Sequence, residues 1–508
     1  MNAQLVGVGL RPFDLGFNFP DWRPSQLEMA ERILNTAKKV ITLSAPTGFG
    51  KSVVVQIPAR ISLQRQLILT RTKTLQSQYE RDGILSLYGR DNYACNLQTR
   101  LTAAQGVCRL GIPCNFYSDG CNYFDQKRSA ISASEAVLNY SYFFLEANGP
   151  GQFSNYDYII CDEGHSVPEE LSRTFSIRVY FPACRSYGIK VPRDKSLSAL
   201  IDWAGSNIGR LRSSVYNHKS ALSNNNVAMR GIEFLQRLNT LAMINPEDSN
   251  KWVVELQDQT AEVRPIWPDS LALMNLWPHG KKFIFSSATM NPAFTLPMLG
   301  ISPSEAENLE VSSAFQKEYR PIFIRPAVKM NHGMDNATKM RWIQEVDNII
   351  GQYPDHKGLI HTGNYQLAKL LLDHSRHTKR LLSHNTDTRQ LNLERFKSLT
   401  DNTVLVSPSM TEGIDLPYDH CRFQIIGKVP FPNMIDKVWE ARFATDRERA
   451  ARIYNQYTID QIVQAAGRGM RAHDDYCETW IIDSNVSRLL THYSADFPRF
   501  FREAIVNA

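Results

Sequence analysis

The sequence predicts an α/β protein with two parallel-sheet domains, and three observations carry that expectation. Short β-branched runs alternate with helical patterns. The alternation occurs twice along the chain, which points to two such domains. The runs end in small or polar residues, where parallel sheets bind ligands. In the first half the strand candidates are "VITLS" at 40–44, "QLILT" at 66–70, "YDYIICDE" at 156–163 and "KFIFSSAT" at 282–289. In the second half they are "GLIHTG" at 358–363, "TVLVSP" at 403–408, "RFQIIG" at 422–427 and "ETWIID" at 478–483.

Each reads as a buried strand because its apolar run is short and bounded by turn or polar residues. Before the first strand, "PSQLEMAERILNTAKK" repeats apolar residues at Ala30, Ile33, Leu34 and Ala37, a helix face. After it, "SVVVQIPARI" opens a second helix. Two segments break the alternation. Residues 90–130 hold few strand signals, and residues 168–265 read as mostly helical and polar, with a turn at Ser223–Asn226. Both look like insertions into the first domain. The division predicted is 1–290 for the first domain and 291–508 for the second. No internal repeat of solenoid length is present.

Composition is that of an ordinary soluble globular chain: 43% hydrophobic and 21% charged, too long at 508 residues for one core. The balance of 57 basic and 51 acidic residues is mildly basic, which allows a nucleic-acid partner without demanding one. No apolar run reaches the roughly 18 residues of a membrane span. The N-terminus lacks the charged and apolar blocks of a secretory signal, so a cytoplasmic, thiol-reducing setting is expected. Of eight cysteines, Cys161, Cys184, Cys421 and Cys477 scatter singly. Cys95, Cys108, Cys114 and Cys121 share one short segment. In a reducing compartment such a cluster reads as metal binding before disulfides.

Three stretches carry chemistry. "SAPTGFGKS", residues 44–52, follows a strand and opens a helix. Backbone N–H groups and the helix N-terminus there attract phosphate oxygens. Gly48 and Gly50 let the backbone approach closely. Lys51 would reach the β and γ phosphates and Ser52 would hold Mg²⁺. A glycine turn with an exposed lysine would show similar letters. Asp162 and Glu163 directly follow an apolar strand, where one acid can bind Mg²⁺ and the other orient the attacking water. An exposed acidic turn is the plain alternative. "QAAGRGMR" carries Gln464, Arg468 and Arg471, the two arginines three residues apart and so on one helix face, suited to one phosphate or to solvent. The three occur in the right order on two domains, which makes joint coincidence small.

These residues resemble the motifs of superfamily-two helicases, and specifically the XPD/DinG family, over most of the chain. "APTGFGKS" resembles motif I, in which that superfamily accepts Ala45 at the first glycine position. "LTRTKTLQSQ" resembles motif Ia, "CDEGH" a DEAH-type motif II, and "FSSATM" motif III. "LIHTGNY" resembles motif IV, "SMTEGIDLP" motif V, "QAAGRGMR" motif VI, and "VPFPNMID" the family's Pro-Phe segment. "WRPSQLEM" supplies Arg23 and Gln26, similar to an adenine-sensing pair. The resemblance implies two RecA-like motor domains.

It also implies roles. Arg23, Gln26, Thr47, Gly48, Phe49, Gly50, Lys51, Ser52, Gly413 and Asp415 would bind ATP, the last two coupling it to the strand. Lys51, Asp162, Glu163, Gln464, Arg468 and Arg471 would carry hydrolysis, with Asp162 on Mg²⁺, Glu163 as base, and the last three reaching the γ-phosphate. Arg71 and Thr72 would touch nucleic-acid backbone. Ser287 and Thr289 would link hydrolysis to domain movement, with His165 nearby.

The same family carries a four-cysteine [4Fe–4S] insertion between motifs Ia and II. Cys95, Cys108, Cys114 and Cys121 occupy that position as C-x12-C-x5-C-x6-C, without the close pairs zinc sites use. Four buried free thiols are the alternative. Residues 168–265 would be the arch domain. There Arg210, Arg212, Lys219 and Arg230 suit strand phosphates or a solvated face alike. Tyr93, Tyr117, Tyr123 and Phe124 could stack on bases or wall the cluster from water.

The implied activity is an ATP-driven translocase, monomeric, unwinding DNA 5′-to-3′ and meeting single-stranded and forked DNA but no membrane. An RNA or R-loop remodeller acting on RNA–DNA hybrid is the runner-up. A non-motor ATP-switched clamp and an iron–sulfur redox sensor are the readings from other classes. Motifs Ia, III, IV and V weigh against both, since a switch needs no stepping apparatus.

Overall fold

Why these segments become strands is visible in their burial. The computed structural model describes residues 4–7, 9–220, 225–313, 315–331, 333–408, 416–470 and 474–506, without the side chains of 110, 217–220 and 225–228. The first half forms β1 (Val40–Ser44), β2 (Gln66–Thr70), β3 (Leu85–Ser86), β4 (Glu135–Asn139), β5 (Tyr156–Asp162), β6 (Ile177–Tyr180), β7 (Trp252–Gln257), β8 (Thr260–Pro265), β9 (Gly280–Ser287) and β10 (Ala306–Glu310). Seven of these make a parallel sheet in the order β10-β1-β9-β5-β2-β4-β3. Successive side chains go to opposite faces. Leu67 and Leu69 of β2 enter one core with Phe283 and Phe285 of β9, while Ile68 enters a second with Ile41 and Ile284. A strand buried on both faces must be apolar throughout, which is why the runs show no alternation.

The second half forms β11 (Ile322–Val328), β12 (Gly358–His361), β13 (Leu381–Ser383), β14 (Val404–Ser407), β15 (Phe423–Ile426), β16 (Glu478–Asp483) and β17 (Ile505–Val506). They make a second parallel sheet, ordered β13-β14-β12-β15-β16-β11-β17. Val404 and Val406 pack on one side of β14 and Leu405 on the other. The expected pair of parallel α/β domains is therefore present. Among the described residues no helix is long and apolar enough to cross a membrane.

Several local expectations change. The first sheet continues past residue 290, because β10 pairs along β1 from Val40↔Ala306 to Ser44↔Glu310. The division read at 290 moves to the segment between β10 and β11. β10, an edge strand, buries only Ala306 and Leu309 of its five residues, so its apolar signal is weak. The first helix spans Gln26–Asn35 and buries Gln26, Met29, Ala30 and Ile33, which leaves Ala37 exposed beyond its end. "SVVVQIPARI" is two helical pieces, Lys51–Val54 and Ile57–Ile61. Pro58 has no N–H to donate to Val54, and the ladder breaks ahead of it.

The segment 168–265 is more than helical. Helices Leu197–Ser220 and Asn225–Ala242 pair, and they pack on an antiparallel sheet ordered β6-β8-β7. Leu200, Leu211, Leu238 and Leu241 of the helices share a core with Ile177, Val179, Ala261 and Val263 of the strands. β8 alternates Ala261 and Val263 with half-buried Glu262 and Arg264, so it hides among polar letters. Residues 90–121 are turns, two 3₁₀ pieces and a single bridge between Ala94 and Thr102, followed by the helix Asn122–Ser132.

Candidate active site

Parallel pairing sets the carboxyl ends of β1, β9 and β5 side by side: Ser44 lies opposite Ser287, and Asp162 opposite Ser286. The phosphate-loop candidate leaves β1, the acidic pair leaves β5, and Ser287 ends β9. One sheet edge thus gathers three of the predicted stretches.

The loop has the backbone a phosphate cradle needs. Gly48 and Gly50 sit at φ +80° and +84°, where other residues are strained. Lys51 Nζ donates to the carbonyls of Ala45 at 2.9 Å and Pro46 at 3.2 Å, so the ammonium is held over the loop. Arg23 and Gln26 serve that loop directly. Arg23 donates to the Gly48 carbonyl. Gln26, 2% exposed, donates Nε2 to the Phe49 carbonyl at 2.8 Å and accepts the Arg23 N–H at 2.9 Å. Both amide ends are engaged with the backbone. Thr47 lies near the second domain: a Cβ on Gly467 would stand 3.8 Å from its methyl.

The acidic pair is held from several sides. Tyr79 Oη donates to Asp162 Oδ2 at 3.1 Å, and Tyr140 Oη to the Asp162 carbonyl at 2.7 Å. Burial, with the neighbouring Glu163 charge, pushes the Asp162 carboxyl up to about 6, against the pull of Lys51 and the Tyr79 hydroxyl. Burial acts upward on Glu163 as well, but His165, Lys51, the Ser287 hydroxyl and Arg468 outweigh it and hold that carboxyl below its ordinary value. Two adjacent carboxylates in a confined, partly desolvated place favour a divalent cation beside them. Asp162 and Ser52 fit the Mg²⁺ role by donor chemistry.

A hydrogen-bonded relay crosses from the first domain to the second. Ser287 Oγ donates to Glu163 Oε2 at 3.0 Å and meets His165 Nδ1 at 2.8 Å. His165 Nε2 lies 2.8 Å from Gln464 Nε2. The carboxamide of Gln464 and the ring of His165 thereby join the two domains. Gln464 Oε1 is buried and accepts no hydrogen bond among the described residues, so it can receive one from water. Thr289 backs the relay, its N–H donating to Ser287 Oγ at 3.1 Å. His165 earns a firmer place than its single letter suggested. Arg468 lies close enough to lower the Glu163 carboxyl. Gly413, Asp415 and Arg471 lie outside the described residues.

Arg71 lines a cleft of about 480 Å³ between the domains, walled also by Glu169, Arg264, Asp436, Trp439, Gln456 and Asp460. It pairs with Glu170 at 3.1 Å and Glu169 at 3.5 Å. Thr72 has a local job: its Oγ1 accepts the Leu75 N–H at 3.3 Å and caps the helix Lys73–Arg81. Arg210, Arg212 and Arg230 are exposed on the insertion helices, and the Lys219 side chain lies outside the described residues.

The cysteine segment brings two thiols together. A Cβ on Gly106 would stand 3.4 Å from Cys95 Sγ and 3.5 Å from Cys108 Sγ, so this glycine leaves room between them. The Arg90 guanidinium lies 3.9 Å from Cys108 Sγ. Cys121 is buried at the start of the helix Asn122–Ser132, and Cys114 is half-buried. Among the described residues no group of three or more His, Cys, Asp or Glu is gathered as a metal site. Tyr93, Tyr123 and Phe124 pack edge to face, with Arg90 over the last two rings, as a wall would. Tyr117 is 55% exposed.

Sequence reasoning missed Tyr79, Tyr140 and Phe315. The Phe315 ring lies over the loop, 2.1 Å from where a Cβ on Gly48 would stand. No local signal marks any of the three, because each acts on a segment far away in sequence.

Comparison with known proteins supports the same architecture. Residues 352–504 match the family described as the helicase C-terminal domain. The chain is 22% identical to the ATP-dependent DNA helicase YoaA of Haemophilus influenzae, across 97% of this chain and 96% of that protein. The solved structure of an XPD helicase superposes with a TM-score of 0.64 at 14% identity, covering 93% of this chain and 97% of the other. The Xpd4 structure from S. tokodaii superposes with a TM-score of 0.63 at 15% identity, covering 95% and 99%. The fold is that of XPD over nearly the whole chain, and the likeness to XPD/DinG-type superfamily-two helicases carried by the motifs runs through both domains.

Proposed function

We propose that this protein is an ATP-dependent DNA helicase of the XPD/DinG type, translocating on single-stranded DNA in the 5′-to-3′ direction. The observation that carries the reading is the relay Glu163–Ser287–His165–Gln464, which joins the acid pair of one domain to the arginine-bearing helix of the other. A nucleotide bound on the loop would sit where both domains reach it. Lys51 would exchange its loop carbonyls for β and γ phosphate oxygens. Ser52 and Asp162 would hold Mg²⁺, which neutralises developing phosphate charge. Glu163, kept ionised by its cationic neighbours, would take a proton from the attacking water. Gln464 and Arg468, with Arg471, would close on the γ-phosphate. Each closure and reopening would shift the strand held by the cleft that Arg71 lines.

The motif Asp162-Glu163-Gly164-His165 supports a DEAH-type assignment, since its histidine carries the cross-domain contact. Cys95, Cys108, Cys114 and Cys121 would hold a [4Fe–4S] cluster in a reducing cytoplasm, a fit supported by the room that Gly106 leaves between two of the thiols. Such a cluster would cross-link a segment that has almost no regular structure of its own. The chain is proposed to act as a monomer on forked DNA, with RNA–DNA hybrid as an alternative substrate.

The test is unwinding of 5′-tailed and 3′-tailed DNA duplexes and of RNA–DNA hybrids by anaerobically purified protein, with iron and sulfide analysis. ATP-dependent separation of 5′-tailed DNA is expected. Strand-stimulated ATP turnover with no unwinding of any duplex would replace the motor reading with a clamp.

A further inference from the structure

The helix Arg447–Ala466 carries Gln456, Asp460 and Gln464 at four-residue spacing, and Arg468 continues the series just past its end at Gly467. Residues so spaced share one helix face. The lower end of this polar stripe, Gln456 and Asp460, walls the interdomain cleft. The upper end, Gln464 and Arg468, faces the phosphate site. The stripe is tied to the first domain twice. Gln464 meets His165, and Gln456 Oε1 accepts from Asn291 Nδ2 at 3.1 Å. Asn291 follows "FSSATM" immediately, four residues beyond Ser287 of the relay. Its own Oδ1 accepts the Ala293 N–H at 3.2 Å, which fixes the amide plane and aims the NH₂ across the domain gap. Gln456 Nε2 then donates to Asp460 Oδ1 at 2.7 Å.

We propose that Asn291 is a positioning residue: through Gln456 it couples occupancy of the cleft by a nucleic-acid strand to Gln464, eight residues further along the same helix, and to Arg468 just past its end. The inference rests on the helicase reading above. The two cross-domain contacts are separated by about 12 Å of helix at 1.5 Å per residue. A helix held at both points cannot slide at the cleft without sliding at the phosphates. A strand entering the cleft displaces the Gln456–Asp460 end, and Gln464 and Arg468 move with it. Without the Asn291 contact, the cleft end moves independently of the segment that carries Ser287.

The experiment measures ATP turnover of the full chain, with and without a single-stranded oligothymidylate, in wild type and Asn291→Ser. Serine retains an oxygen for the Ala293 N–H but has no amide to reach Gln456. Asn291→Thr, with the same cap oxygen, is the second variant should the first melt early. Basal turnover, KM for ATP and the melting temperature are expected to stay at wild-type values, while stimulation by the strand falls about 5-fold or more, the lower end of ordinary site–site coupling. Wild-type stimulation in a folded variant overturns the inference. So does an equal loss of basal turnover, which would make Asn291 part of the hydrolytic site. A wild-type protein indifferent to the strand overturns the helicase reading itself, and the inference with it.

Discussion

Glu163 shows how one side chain's surroundings set its chemistry. It stands beside a carboxylate, at φ +52°, a conformation that non-glycine residues seldom adopt. Burial opposes its ionisation, yet His165, Lys51, Ser287 and Arg468 keep it charged. The base proposed here is lost without loss of shape in Glu163→Gln. ATP and DNA binding should persist in that variant, measured by equilibrium titration, while turnover falls roughly 10²–10⁴-fold. Loss of ATP binding instead would make Glu163 structural. The pair was legible as letters after an apolar strand. The tyrosines that hold Asp162 were not, because Tyr79 sits in a helix whose sequence gives no reason to aim a hydroxyl at β5.

At the scale of single elements, two segments carry most of the functional consequence. The helix ending at Gly467 delivers Gln464 and Arg468 to a site built on the other domain. Arg468→Ala should slow hydrolysis roughly 10³–10⁵-fold, as loss of an arginine finger does, with nucleotide affinity changed far less. Near-normal turnover would mean that the first domain completes the site alone. The second segment is the cysteine insertion, which has a single β-bridge and short 3₁₀ turns to hold it. Cys114→Ser should lose iron and loosen residues 90–121, because metal binding and local folding are one equilibrium. Limited proteolysis and iron analysis read both effects. ATP hydrolysis should survive in part, since no cysteine belongs to the phosphate site, while strand separation fails. Zinc without iron in anaerobic wild type, or full unwinding by the variant, would remove the cluster from the account.

At the scale of the whole molecule, the insertion's return path is bolted to the second domain. Arg264 of β8 donates to both Asp436 oxygens, at 3.0 and 3.1 Å. Asp436 also caps the helix Lys437–Thr445 through the Val438 N–H at 2.8 Å. The guanidinium groups of Arg442 and Arg449 both lie over the Trp267 ring, 5.1 and 4.2 Å from its centroid. Burial acts to raise the Asp436 carboxyl, but Arg264 and the backbone N–H groups hold it below its ordinary value. Its contribution is therefore fully present above the ordinary carboxylate range and disappears as pH falls through the lowered value. With the pair partly open to solvent, Asp436→Asn should cost about 1 kcal/mol or less at pH 7, mostly as a lost ion pair, because asparagine caps a helix as aspartate does. Urea unfolding of variant and wild type at pH 7 and at about pH 3 should show that difference shrinking with acid. A difference independent of pH would mean that the charge of Asp436 does not hold the domains.

The sequence by itself determined the glycine-bearing loop proposed to hold phosphate, the acidic strand end and the two-sheet plan. Each is encoded within about ten neighbouring residues: glycines where φ is positive, an apolar run where both sheet faces are covered, an acid where the strand leaves the sheet. The three-stranded sheet of the insertion escaped, because Glu262 and Arg264 share β8 with Ala261 and Val263 and dilute its apolar letters. Tertiary structure alone decided how the parts serve one another. Gln26 is spent on the Phe49 carbonyl, Phe315 covers Gly48, and His165 meets Gln464 across 299 residues of chain. The first contact depends on packing within one core and the other two on how two separately packed cores come to rest side by side, and none leaves a periodicity in a single sequence from which to read it.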